Sequence, residues 1–128
     1  MQVPFFDYKH IFNQHKKELS EIIINISEKG SFILQNELKD FEKNFASYIN
    51  ADYSVGVGNC TDGLLLALKA AGVGNGDEVI FCSHTFVATA SAIHFSGADP
   101  VPVECASDHL IDTKMVQSAI TSRTKAVI

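Results

Sequence analysis

After Asp52 the sequence alternates short apolar runs with helix-like stretches, and this alternation limits the fold more than any other feature. The runs are YSVGVG at 53–58, EVIFC at 78–82, PVPVE at 100–104 and KAVI at 125–128. Between them lie helix-like segments at 61–72, 86–96 and 113–122. The spacing of roughly 25 residues is the length of a β-α unit, which predicts an α/β fold with parallel strands joined by crossover helices. The intervening turns agree: GVGNGDE at 72–78 and SGADP at 96–100 carry the Gly, Asn, Asp and Pro that turns require.

The first fifty residues read differently. Over 8–28, Ile11, Phe12, Leu19, Ile22, Ile23 and Ile26 recur at helical spacing, and Gly30 punctuates the end. A second stripe runs through Leu34, Leu38, Phe41, Phe45, Tyr48 and Ile49, with Asn36 as the expected cap. Core packing is the expected use of both stripes. The chain therefore divides at about residue 50 into a helical segment, 1–50, and a β-α region, 51–128. Because KAVI closes the sequence inside a strand-like run, the chain is expected to be a piece of something larger.

Composition removes several classes of function. A formal charge of −5 with no run of five like charges argues against nucleic acid as a partner. No apolar run approaches the length of a membrane span, and the N-terminus lacks the apolar core of a secretion signal. Cys60, Cys82 and Cys105 lie far apart, without a CxxC pair, so neither a disulfide framework nor a metal site is expected. A cytoplasmic location follows from these observations as the expectation.

The turn GVGNCTDGL at 56–64 sits between a strand-like run and a helix, where open backbone N–H groups and the helix dipole favour an anion. It nearly meets the dinucleotide pattern GxGxxG at Gly56 and Gly58, but Thr61 stands at the third glycine. It fails the triphosphate pattern GxxxxGK[ST] because Leu64 follows Gly63 where lysine is required. What remains is a donor cluster: the Thr61 hydroxyl with the amides of residues 60–63, suited to a small phosphomonoester. A plain helix cap by Asn59 or Thr61, with Asp62 near the positive helix end, accounts for the same nine residues.

The next strand-like run ends in FCSHTFVATA, 81–90. Ligands of open parallel sheets gather at the carboxyl ends of strands. A helix starting at Thr85 or Phe86 would bring the Phe86 ring over the crevice that holds Thr61, which suits a flat phosphorylated cofactor. His84 is within reach of the same crevice, or serves only as a loop residue. Asp62, His84 and Glu104 form no readable triad.

Six segments together resemble the DegT/DnrJ/EryC1/StrS family of sugar aminotransferases. They are VPFFDYK, GSFILQNELKDFEKNFASYI, SVGVGNCTDGLLLALKAAGVGNGDEVI, SHTFVATASAI, GADPVPVE and ITSRTKAVI, in order and at compatible spacing over nearly the whole chain. The resemblance implies the first part of a fold-type-I pyridoxal-phosphate domain over 51–128, preceded by two helices. It implies pyridoxal 5'-phosphate, or its pyridoxamine form, as cofactor. Cys60, Thr61 and Asp62 match the family's phosphate turn, usually Ser/Asn-Gly-Thr-Asp-Ala, and Phe86 matches the aromatic residue that stacks on the pyridine ring. Ser31, Phe32 and Ile33 resemble a stretch near the partner subunit's active site in a homodimer.

Two residues depart from the pattern. Cys60 replaces the usual Gly and Gly63 the usual Ala, so a positive φ at position 60 would bring strain. The family's Schiff-base lysine and the acidic partner of the pyridine nitrogen fall beyond the matched segments; none of Lys9 through Lys125 occupies the catalytic position. No catalytic residue is therefore expected within the chain. The implied reaction is transfer of an amino group, with glutamate as the expected donor, to a nucleotide-linked keto-sugar. The product would be an amino sugar for surface polysaccharide or a glycosylated metabolite. A pyridoxamine-dependent dehydratase of the same family is the alternative. Other classes remain as rivals: a dinucleotide-binding domain of the Rossmann type, or a catalytically inert interaction module.

Overall fold

The computed structural model describes residues 4–128; Met1, Gln2 and Val3, the last of which opens the VPFFDYK segment, lie outside the described residues. The chain divides into two compact units, Met1–Gly56 and Val57–Ile128.

The first unit holds two helices, α1 (Tyr8–Lys29) and α2 (Asn36–Tyr48). Asp7 caps α1 by accepting the His10 N–H at 2.9 Å, and Gly30 ends it in the left-handed conformation expected of a C-terminal glycine. The cap of α2 is Gln35, without a side-chain bond, and Asn36 is the first helical residue. The apolar stripes are not used as expected: α1 buries no residue and α2 buries only Ala46. Ile11, Phe12, Ile22 and Ile23 face solvent. A stripe is buried only when a second surface covers it, and of the two stripes only Ile26 and Leu38 are half-buried.

The run 53–58 forms no strand. A strand needs a neighbour for its ladder, and no described strand lies beside this one. Its polar groups turn to α2 instead: Ser54 Oγ donates to the Glu42 carbonyl at 2.7 Å, and the Gly56 N–H donates to Glu42 Oε1 at 2.7 Å. A Cβ on Gly56 would stand 2.5 Å from Leu38 Cδ1, so a side chain there would require the end of that leucine to shift.

The second unit is the predicted parallel α/β layer. Its elements are α3 (Cys60–Ala70), β1 (Glu78–Cys82), α4 (Val87–Ser96), β2 (Asp99–Val103), α5 (Thr113–Ala119) and β3 (Thr124–Val127). The sheet order is β2-β1-β3, and β1 pairs in parallel with both neighbours. Glu78 to Cys82 register with Asp99 to Val103, while a bulge after Glu78 shifts the pairing with β3. The helix expected over 113–122 stops at Ala119, because Ile120 leaves helical geometry at ψ 127. The central strand is buried on both faces, as a parallel sheet requires. Val79 and Phe81 join Leu68 of α3 and Ala92 and Ile93 of α4 in one core cluster, and Ile80 is buried on the other face.

In β2, Asp99 and Val103 frame the strand with backbone bonds to the β1 side, Asp99 N–H to the Asp77 carbonyl and Ser83 N–H to the Val103 carbonyl. Backbone groups alternate in direction along a strand, so Pro100 and Pro102 point away from β1. Their missing N–H groups cost no ladder bond and close that edge to another strand.

The amino ends of all three strands are tied by one ion cluster. Arg123, just before β3, donates through Nη2 to Glu78 Oε1 and through Nη1 to Asp99 Oδ2, the latter at 2.9 Å. Thr121 Oγ1 donates to the second Glu78 oxygen. The hydrogen bond to Asp99 first, then the Glu78 charge, holds the guanidinium above its already high ordinary range, so it stays charged wherever the protein is folded. Arg123→Met is expected to lower the urea midpoint because it strands the buried Glu78 carboxylate. Adding Glu78→Gln should recover part of the loss; no recovery would mean that the cluster does not hold the strands.

Candidate functional site

The carboxyl end of the sheet collects most of the residues singled out from the sequence. At the C-terminal end of α3, Lys69 Nζ donates to the Ser96 carbonyl at the C-terminal end of α4, at 2.6 Å. The two helices pack on each other and have 11 and 10 residues, about 15 Å each at 1.5 Å per residue. Their N-termini therefore lie at the same end. Because α4 follows the last residue of β1, that end is the carboxyl end of the strands. Cys60, Thr61, Asp62, His84 and Phe86 are thus on one rim of the second unit. Ser31, Phe32 and Ile33 belong to the first unit, in the turn between α1 and α2, where Ser31 is half-buried and the other two are exposed.

At the start of α3 the choice between two caps is resolved in favour of Asn59. Its backbone is extended (φ −163, ψ 169), and its Oδ1 accepts the Asp62 N–H at 2.9 Å. Its Nδ2 donates to Asp62 Oδ2 at 2.8 Å, so the two side chains hold each other. The Gly63 N–H donates to the Asn59 carbonyl at 3.1 Å. The N–H groups of Cys60 and Thr61 have no partner among the described residues, as expected for the first two positions of a helix. The Thr61 hydroxyl is also unpaired among the described residues. Two amides and one hydroxyl are thereby open on one helix start, whereas the Asp62 amide is engaged.

Cys60 has helical backbone and is absent from the residues with positive φ, which are Leu34, Asn50 and His109 apart from glycines. The strain considered for a side chain at position 60 does not arise. A Cβ on Gly63 would stand 3.3 Å from Val57 Cγ2, a tight but nearly tolerable fit, so the usual Ala would crowd that valine.

Phe86 is the N-cap of α4, extended at φ −70 and ψ 143, and the residue is 76% exposed. The helix begins at Val87, one residue later than expected. Thr85 Oγ1 and Thr89 Oγ1 lie 3.1 Å apart and fix this turn. His84 is exposed, and its ring lies 6.3 Å from that of His109 in the loop after β2. Sequence reasoning missed His109. The only signal for it was its position in a loop that leaves the carboxyl end of a strand. Among the described residues no group of three or more His, Cys, Asp or Glu could hold a metal ion, and Cys60, Cys82 and Cys105 are free thiols.

The family model for the DegT/DnrJ/EryC1/StrS aminotransferase family matches residues 13–128. The chain belongs to this family. Membership decides for the family over a dinucleotide-binding domain. One relative is the dTDP-3-amino-3,4,6-trideoxy-alpha-D-glucose transaminase of Streptomyces venezuelae, 42% identical over 128 residues, which are 99% of this chain and 34% of the relative. The crystal structure of S. venezuelae DesV in complex with a ketimine intermediate superposes with a TM-score of 0.95 at 42% identity, over 98% of this chain and 34% of that one. The structure of NtdA from Bacillus subtilis with bound cofactor PMP gives a TM-score of 0.87 at 28% identity, over 98% of this chain and 29% of that one. The chain spans about a third of the length of the curated relatives it matches. These neighbours make the second unit of this DegT/DnrJ/EryC1/StrS chain part of an aminotransferase α/β domain, with the β2-β1-β3 strands as its described portion.

Proposed function

We propose that the intact protein moves an amino group from an amino-acid donor, glutamate, to a keto-sugar carried on a nucleotide, with pyridoxal 5'-phosphate as its cofactor. One observation carries the assignment of the site: the open N–H groups of Cys60 and Thr61 and the unpaired Thr61 hydroxyl converge on one helix start, on the same rim as Phe86. This donor set fits a phosphomonoester. Each open N–H is a donor, the helix dipole favours the negative charge, and no lysine or metal is needed to hold a single phosphate. The exposed Phe86 ring supplies a flat apolar face for the pyridine. The name of the S. venezuelae relative supports the nucleotide-linked sugar, and the PMP-bound B. subtilis structure supports the cofactor.

In this reading Thr61, with the amides of residues 60 and 61, anchors the phosphate, and the Asp62 amide joins only by leaving Asn59. His84 faces the substrate side of the rim. When bound, the cofactor supplies the electron sink that aminotransferase chemistry needs. The lysine that holds the cofactor covalently comes from outside this chain. Ser31, Phe32 and Ile33 approach the site of a second copy in a homodimer, and the enzyme works in the cytoplasm on intermediates of amino-sugar synthesis.

The test uses the full-length protein and its cofactor absorbance after gel filtration. Thr61→Ala is expected to weaken cofactor retention about tenfold, because one hydroxyl bond to a charged phosphate is lost. Retention equal to that of the wild type would overturn the phosphate assignment. Borohydride should also bleach the absorbance band of the full-length protein, and a band that resists it would count against transamination.

A further inference from the structure

We infer that His84 and His109 form a two-imidazole site on the carboxyl rim of the sheet that holds the diphosphate of the nucleotide-linked substrate. The inference deepens the proposed function and rests on its reading of the substrate. The other three histidines each have a local setting. His10 pairs with Gln14, His15 lines a groove along α1, and His94 lies in the last turn of α4, where the helix dipole favours a cation. His84 and His109 face only each other. Both are exposed, neither ring has a hydrogen-bond partner among the described residues, and their centroids lie 6.3 Å apart with the planes tilted by 39°.

Two loops that leave neighbouring strands bring the rings together. His84 follows β1, and His109 sits in the loop after β2, held at φ 65, a conformation that side chains other than glycine and asparagine seldom adopt. Its N–H donates to the Ala106 carbonyl at 3.0 Å, and Cys105 and Ile111 close the loop as an antiparallel bridge. An uncommon backbone state that keeps an imidazole on the rim is a feature of sites more often than of plain turns. The cations of the second unit leave this end largely to the two rings. Lys69 reaches the Ser96 carbonyl at the far end of α4, Arg123 is engaged with Glu78 and Asp99, and Lys125 lies in β3, so only Lys114, at the start of α5, joins them. Among the carboxylates near the rim, Asp62 bonds to Asn59, Asp108 accepts the Leu110 N–H, and Asp112 accepts the Lys114 and Met115 N–H groups, while Glu104 is exposed. A metal ion would need further ligands, and among the described residues no third His, Cys, Asp or Glu completes such a set. A phosphate needs only donors. Imidazole supplies an N–H in either protonation state, and two N–H···O bonds of about 2.8 Å converging on one phosphate span the gap between the rings.

The test measures binding of UDP and thymidine diphosphate, against uridine and thymidine, to the full-length protein by calorimetry. His84→Ala and His109→Ala are each expected to weaken the tighter diphosphate about tenfold, to leave its nucleoside unchanged and to retain pyridoxal 5'-phosphate as the wild type does. The double variant should lose about thirtyfold, less than the product, because both rings hold the same group. His94→Ala, which removes an imidazole at the other end of α4, should bind within about twofold of the wild type. His109→Asn keeps an N–H donor and suits the left-handed backbone, so it should bind within about threefold of the wild type. His109→Gly separates binding from folding: it should bind as weakly as His109→Ala and melt no lower than the wild type. Wild-type affinity for the diphosphate in either alanine variant would overturn the inference, as would an equal loss for the nucleoside. If the wild type binds neither diphosphate better than its nucleoside, the nucleotide-linked substrate itself is wrong and the inference falls with it.

Discussion

Ile93→Ala is expected to destabilise the full-length protein by about 3 kcal/mol, the largest stability effect of any single truncation considered. Ile93 lies in α4 with no exposed surface, inside the cluster that joins α3 to the sheet through Leu68, Val79, Phe81 and Ala92. Truncation removes three buried carbon atoms, and the neighbours belong to a strand and two helices that cannot all close on the gap. The cost is therefore transfer free energy plus a residual cavity. Ile93→Val, which removes one methyl group, should cost only about 1 kcal/mol. Urea denaturation followed by circular dichroism measures both. A loss below about 1 kcal/mol for the alanine variant would mean that α4 is not anchored through this cluster. The effect matters for the site because α4 carries Phe86 as its N-cap. A helix that loosens in its middle no longer presents that ring from a fixed position.

The parts of the structure that could be read from the sequence are those decided by neighbours a few residues apart. The β-α spacing, the Gly30 cap and the start of α3 within the GVGNCTDGL segment depend on local propensity and local hydrogen bonds, and all three are present. The strand expected at 53–58 fails for the opposite reason. Its apolar residues favour an extended chain, but ladder bonds must come from another strand, and among the described residues Glu42 supplies its partners. The stripes of α1 and α2 were legible as stripes, whereas their exposure depends on what covers them.

The candidate site divides in the same way. Thr61 and Phe86 could be named because each sits where a β-α unit places its ligands. That Asn59 rather than Thr61 caps the helix depends on one extended backbone residue, which the pattern NCT does not reveal. The engagement of the Asp62 amide follows from that choice and was equally hidden. His109 reaches His84 only because β2 lies beside β1, a fact of strand order across more than twenty residues.

Phe86→Ala is expected to weaken cofactor binding about thirtyfold, or about 2 kcal/mol, by removing the flat face against which the pyridine ring would lie. The residue is 76% exposed and takes no part in the core cluster, so loss of its ring should leave the unfolding midpoint of the protein unchanged. That separation makes the variant informative. A drop in affinity at constant stability assigns the ring to the ligand rather than to packing. Phe86→Tyr should bind nearly as well as the wild type because it keeps the aromatic face, whereas Phe86→Leu keeps apolar area without that face and should recover only part of the affinity. Equilibrium titration of the full-length protein with pyridoxal 5'-phosphate, followed by absorbance, measures all three. Unphosphorylated pyridoxal should lose affinity by a similar factor, since the ring contact does not involve the phosphate. A Phe86→Ala protein that binds within about threefold of the wild type would remove the stacking role and leave the phosphate turn as the sole element of the site.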